Sequence, residues 1–158
     1  MGHRPQGLEG APADDVTVPE IRAATFVRAS RERVYDALTQ AQHLDAWFTT
    51  GAKVDARPGG MMHWRWVDWG PDHATGEDWG LVLEARRPER YVFQWQAKLG
   101  PTTVEVDFEE HPDGTVVRLR EHGYPDTPDG MVALMSCATG WGEALTLLKF
   151  YVEHGFRY

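Results

Sequence analysis

Cysteine is almost absent from this sequence, since Cys137 is the only one among 158 residues. No internal disulfide can form, and such sparse use of cysteine favours a reducing compartment. The sequence also has no apolar run that we expect to cross a bilayer, and its N-terminus lacks the apolar segment of a secretion signal. We therefore predict a cytoplasmic protein that does not insert into a membrane.

Positive charge is also in short supply. Lys and Arg total 16 against 24 for Asp and Glu, which gives a formal net charge of −8 at pH 7. Binding to a phosphate backbone depends on basic side chains, so we predict no nucleic-acid partner. The apolar share of 42% and the charged share of 25% are ordinary for a chain that folds around a core.

The chain divides into a tail and one domain. Residues 1–18 are rich in Gly, Pro, Asp and Ala and show no period, which predicts a flexible tail. No second composition regime follows, so residues 19–158 are expected to form a single domain.

The coarse pattern predicts one strand, two short helices and then a run of hairpins. Residues 20–29 look like a strand, and Ser30 is a good N-cap for helices over 31–40 and 41–48. From there to about residue 124, apolar residues recur with period two between short turn signals. Short turns between successive strands indicate antiparallel pairing.

The last hairpin has a register that can be derived from charge. A symmetric loop around Asp113 and Gly114 puts apolar residues opposite apolar residues and acids opposite bases. The same loop places Glu121 on the inner face of the sheet. The pairs it predicts are Phe108–Leu119, Asp107–Arg120, Glu109–Arg118 and Val106–Glu121.

A long helix is predicted at the C-terminal end, from Pro128 to His154 with Thr127 as N-cap. Gly140 and Gly142 weaken its middle, so a packing reason or a bend is expected there. Its apolar stripe consists of Leu134, Ala138, Trp141, Leu145, Leu148 and Val152.

This order of elements resembles the helix-grip fold of Bet v 1-like and START-like proteins. Within that fold, the stretches "ASRERVYDALTQAQHLDAWF", "PGGMMHWRW", "RRPERYVFQW" and "GWGEALTLLKFYVEHG" are similar to AHSA1-type (activator of Hsp90 ATPase homologue-like) SRPBCC proteins. The resemblance implies an α+β fold, in which a curved antiparallel sheet of about six or seven strands wraps round the long helix. It also implies a cavity between them.

Strand parity predicts which side chains line that cavity. The inner faces are rich in aromatic residues, which we interpret either as a cavity wall or as a filled core. The candidate ligand-binding residues are Trp64, Trp66, Trp79, Phe93, Trp95, Phe108, Glu121, Met135 and Trp141.

The polar candidates have two interpretations each. Glu121 could hold a ligand hydroxyl or transfer a proton, but a carboxylate at the cavity rim, solvated or paired with an arginine, is the favoured interpretation. Cys137 has no identifiable base nearby in sequence, so it is expected to act as a small apolar residue. The acidic loop between Asp68 and Asp78 matches no metal-ligand spacing, and no cofactor motif is present. We therefore predict neither metal nor cofactor.

The leading hypothesis is a protein that binds an apolar or aromatic small molecule, with a homodimer as one possible assembly. A first alternative is an enzyme of the cyclase or aromatase kind, in which Glu121 or Tyr124 transfers a proton. A second alternative, which follows from the resemblance, is a chaperone-associated interaction module.

Overall fold

The elements follow one another in the predicted order. The computed structural model describes residues 19–97 and 99–158, and the predicted tail therefore lies outside the described residues. Strand β1 (Ile21–Val27) precedes two short helices, α1 (Arg31–Thr39) and α2 (Ala41–Trp47). Ser30 caps α1, since its side chain accepts a hydrogen bond from the backbone N–H of Arg33 at 3.4 Å.

The strands form one antiparallel sheet of seven members in the order β1-β7-β6-β5-β4-β3-β2. The first strand pairs with the last, so the edges of the sheet are β1 and the two-residue β2. This confirms the predicted sheet of about six or seven strands. The remaining strands are β2 (Lys53–Val54), β3 (Met61–Trp69), β4 (Ala74–Arg86), β5 (Arg90–Ala97), β6 (Gly100–His111) and β7 (Gly114–His122).

Helix α3 (Pro128–His154) lies against the inner face of the sheet, as predicted. The Thr127 hydroxyl accepts a hydrogen bond from the backbone N–H of Gly130 at 3.0 Å, and Gly155 ends the helix with φ of 71°. The helix buries one stripe, and this stripe with the inner face of the sheet forms the core. The stripe consists of Trp141, Ala144, Leu145, Leu148 and Val152.

Helix α3 corrects the prediction that no segment of the sequence is apolar enough to cross a bilayer. Among the described residues it is the one helix long and apolar enough, by those two measures alone, to cross a membrane. The core helix of a globular fold meets the same two measures. Its contacts with the sheet and with α1 and α2 identify it here as such a core helix.

The register of the last hairpin differs from the predicted one by two residues. His111 pairs with Gly114, so the turn is made by Pro112 and Asp113 and not by Asp113 and Gly114. An even shift leaves every side chain on its predicted face while changing its partner. Glu121 therefore remains on the inner face. The observed pairs include Phe108–Val117, Val106–Leu119, Glu105–Arg120, Asp107–Arg118 and Val104–Glu121.

The face assigned to β4 was wrong. Trp79 pairs with His63 on the outer face, where its ring stacks on the imidazole at a centroid distance of 3.9 Å. The inner position beside it is Gly80, and a Cβ there would lie only 2.7 Å from Cγ of Met62. The same Cβ would lie 2.6 Å from the backbone oxygen of Gln94, so no side chain fits at this inner position. The larger side chains of this part of β4 lie on the outer face, where Trp79, Leu81 and Leu83 are exposed by 48%, 39% and 41%.

Candidate functional site

A pocket of about 270 Å³ opens between the β3–β4 hairpin and α3. Its wall is almost entirely apolar. Gly76 and Gly140 border it, and a Cβ built on either would meet nothing within 4 Å, so missing side chains help to create the space. The lining residues are Phe48, Trp66, Trp69, Ala74, Thr75, Gly76, Trp95, Cys137, Gly140 and Trp141.

The three tryptophans of β3 have two different roles. Trp66 and Trp69 line the pocket, whereas Trp64 is only 1% exposed and belongs to the core. The ring of Trp64 lies 5.1 Å from that of Phe48 and 5.4 Å from that of Trp95. The interior is thus a packed aromatic cluster with a pocket on one side of it.

Glu121 lies behind the pocket wall, and its carboxyl group is completely buried. Each of its neighbours within hydrogen-bond distance can donate to it, and the two indole N–H groups can only donate. Oε1 accepts from Trp95 Nε1 at 2.9 Å, Thr102 Oγ1 at 2.6 Å and Tyr124 OH at 3.0 Å, and Oε2 accepts from Trp141 Nε1 at 2.7 Å and Cys137 Sγ at 3.2 Å.

The favoured interpretation of Glu121 as a rim carboxylate was therefore wrong. Among the described residues its hydrogen-bond partners include no arginine, and indole, hydroxyl and thiol donors take the place of solvent. Five donors from four parts of the chain converge on a single carboxyl group, which makes Glu121 the polar centre of this half of the core.

The buried carboxylate affects the acidity of its neighbours. Burial, together with the charge of Glu121, raises the pKa of the Cys137 thiol to about 12. Burial also raises the pKa of Tyr124, and the nearby Cys137 and Glu121 raise it further. At neutral pH both groups are therefore protonated and act as donors toward Glu121.

Several predicted wall residues lie elsewhere. Trp79 is on the outer face of the sheet, and Met135 is 61% exposed on the solvent side of α3. Phe93 and Phe108 are 1% and 2% exposed and pack in the core, as Trp64 does, without lining the pocket. The predicted residues that do border it are Trp66, Trp95 and Trp141, with Glu121 directly behind the last two.

Other wall residues were missed from the sequence. Phe48 follows α2, and its ring lies 5.5 Å from that of Trp66. Trp69 ends β3 and packs against Tyr158 at a ring distance of 5.2 Å. Phe48 was assigned to a helix face, and the loop-side location of Trp69 gave no periodic signal. Gly140 had been noted only as a weak point of the helix.

The arrangement is suited to binding more than to proton transfer. Neither Glu121 nor Tyr124 lines the pocket, and both are engaged with each other and with surrounding donors. A general acid or base must come within hydrogen-bond reach of the atom it serves. Trp95, Cys137 and Trp141 separate the carboxylate from the pocket, so only its electric field reaches a ligand there.

A sheet wrapped round one long helix, with an apolar pocket between them, defines a helix-grip protein. The family model described as "Activator of Hsp90 ATPase homolog 1-like protein" matches residues 28–153. The chain belongs to this family, whose members generally bind hydrophobic ligands. No curated protein matches the sequence.

Solved structures share the fold at low sequence identity. A crystal structure of a Staphylococcus saprophyticus protein is 21% identical with a TM-score of 0.72, and the match covers 89% of this chain and 96% of that one. The solution structure of the Aha1 dimer from Colwellia psychrerythraea is 22% identical with a TM-score of 0.72, covering 87% and 98%. DynU16, from the dynemicin biosynthetic locus, is 21% identical with a TM-score of 0.73, covering 88% and 49%.

Proposed function

We propose that this protein binds an apolar or aromatic small molecule in the pocket between the β3–β4 hairpin and α3. The observation that carries the proposal is the aromatic wall itself. An apolar cavity of about 150 Å³ is large enough for benzene. The pocket of about 270 Å³ therefore suits a ligand of about two fused or linked rings. The aromatic residues of the wall are Phe48, Trp66, Trp69, Trp95 and Trp141.

The glycines of α3 provide a direct test. A side chain at position 140 would begin in open space at the pocket wall, because a Cβ there meets nothing within 4 Å, and leucine would take up part of the pocket's volume. Gly142 is equally unobstructed but does not line the pocket, so Gly142→Leu is the matched control. Both changes replace glycine inside the same helix and should raise stability similarly, by up to about 1 kcal/mol.

Isothermal titration with 2-naphthol as a two-ring probe supplies the measurement. We expect the wild type and Gly142→Leu to bind alike, and Gly140→Leu to lose affinity at least about tenfold, because the new side chain occupies the ligand's space. Equal binding by all three proteins would place the probe outside the pocket, and no binding by the wild type would reject the proposal.

A second candidate function, a protein contact, is favoured by the outer face of the sheet. Met61, Trp79, Leu81 and Leu83 are all more than a third exposed, and they lie on the neighbouring strands β3 and β4. Grouped apolar residues on a surface often mark protein interfaces. The Colwellia relative is described as a dimer, and we propose the same assembly here, through this face.

The dimer proposal is tested by light scattering coupled to size exclusion, with Trp79→Ser and Leu81→Ser in one variant. The expected result is a dimer for the wild type and a monomer for the variant. A wild type that stays monomeric at high protein concentration would reject this use of the face. We propose that the protein is located in the cytoplasm for either function.

A further inference from the structure

We infer that the pocket selects organic cations, with an aromatic quaternary ammonium as the ligand class it fits best. This inference rests on the proposed function, because it specifies the charge of the ligand that the same pocket would bind. It follows from the tryptophans that line the pocket and from the carboxylate of Glu121 behind them.

Among the aromatic side chains, the indole of tryptophan has the ring face that attracts cations most strongly. Four of the ten lining residues are tryptophans, and Phe48 adds a fifth ring. The rings of Trp95 and Trp141 stand 5.6 Å apart at an interplanar angle of 39°, so the two ring planes are inclined to each other. A cation inside the pocket would therefore lie close to more than one indole.

The carboxylate strengthens two of these faces. Trp95 Nε1 donates to Glu121 at 2.9 Å and Trp141 Nε1 donates to it at 2.7 Å. An N–H that donates to an anion shifts electron density back into the indole ring, and the negative character of the ring face increases. The same residues that form the wall thus transmit the charge of Glu121 into the pocket.

The charges around the pocket also favour a cation. The partners of Glu121 are neutral donors, so its negative charge is hydrogen-bonded but not neutralised by an adjacent cation. The described lining residues include no Lys, Arg or His. In surroundings this apolar the field is weakly screened, so a cation is favoured and an anion is repelled.

Three probes of similar shape and different charge test whether the pocket prefers a cation. 4-Hydroxy-N,N,N-trimethylanilinium and 4-tert-butylphenol differ in a single central atom and hence in charge, and 4-hydroxybenzenesulfonate is a comparable anion. By isothermal titration on the wild type we expect the cation to bind about tenfold more tightly than the neutral isostere, and the anion not to bind.

Two variants test where the preference comes from. Trp66→Leu removes one aromatic ring from the wall, and Trp66 is not among the described hydrogen-bond partners of Glu121. This variant should therefore weaken binding of the cation more than binding of the neutral probe. Glu121→Gln removes the charge and should reduce the preference further. If the glutamine variant does not fold, Trp66→Leu still decides the question.

The outcomes distinguish this inference from the function it rests on. Equal affinity of the wild type for the cation and its neutral isostere would overturn the inference and leave aromatic binding intact. A preference that survives in Trp66→Leu undiminished would also overturn it. Failure of both the neutral isostere and 2-naphthol to bind would reject the proposed function itself.

Discussion

Replacing Glu121 with glutamine keeps the size of the side chain and puts an amide NH₂ in place of one accepting oxygen. We expect the NH₂ group to replace Oε2, because fewer hydrogen bonds are lost there. Oε2 accepts two, from Trp141 Nε1 and Cys137 Sγ, whereas Oε1 accepts three. The indole N–H of Trp141 would then face another donor. A buried donor without an acceptor costs about 1–3 kcal/mol, and loss of the charge weakens each remaining bond by roughly 1 kcal/mol.

Relief from burying a charge offsets part of this cost, so we expect Glu121→Gln to lower the free energy of unfolding by about 2–4 kcal/mol. Urea denaturation with an unchanged m value measures the loss. Glu143→Gln, on the exposed side of the same helix, should change stability by less than about 0.5 kcal/mol.

A double-mutant cycle with Trp141 sharpens the test. Trp141→Phe removes the donor that the new amide would face, so the two substitutions together should cost about 1–2 kcal/mol less than their separate effects predict. If Glu121→Gln were as stable as the wild type, the carboxylate would contribute nothing as the acceptor for Trp141 Nε1 and its other donors. The proposed influence of Glu121 on the charge preference of the pocket would then lose its basis.

Three further predictions concern the helix, the thiol and acid stability. Leu148→Ala should cost about 2–5 kcal/mol because Leu148 is fully buried, whereas Met135→Ala on the solvent side of the same helix should be nearly neutral in urea unfolding. Because the pKa of Cys137 is raised to about 12, we expect iodoacetamide to alkylate it slowly at pH 7, with a rate that rises about tenfold per pH unit up to pH 10. A rate that levels off near pH 9 would contradict this. A hydrogen bond from Arg120 lowers the pKa of Glu20 from 4.5 to about 2, so the stabilising contribution of Glu20 is present above pH 4.5 and is lost as the pH falls toward 2. Glu20→Gln should therefore reduce the dependence of the unfolding free energy on pH between 4.5 and 2. An unchanged dependence would argue against the Glu20–Arg120 ion pair.

Most of the fold could be predicted from local patterns. The capping residues Thr127 and Gly155 define the ends of α3, and period-two alternation defines the hairpins. The face of β4 could not be predicted this way, because both of its faces carry apolar residues. What decides the face is space in the interior, and Met62 on the neighbouring strand fills the volume next to Gly80.

The candidate site was only partly predictable for a similar reason. Parity placed Glu121 on the inner face even though the pairing register was two residues off. Its donors could not be inferred, because Trp95, Thr102 and Trp141 are distant in sequence and meet only after the sheet has closed on the helix. A buried acid and several distant indoles form a pattern that no single stretch of sequence contains.

The two glycines of the pocket wall, Gly76 and Gly140, have a consequence for how such a protein can diverge. Trp95 and Trp141 serve the core, the pocket and Glu121 at once, so a change there alters shape and stability together. The glycines border open space, and a Cβ added at either position meets no atom within 4 Å. We expect descendants of this chain to acquire new ligand preferences first at these two positions, where the volume of the pocket can be altered while the aromatic core stays unchanged.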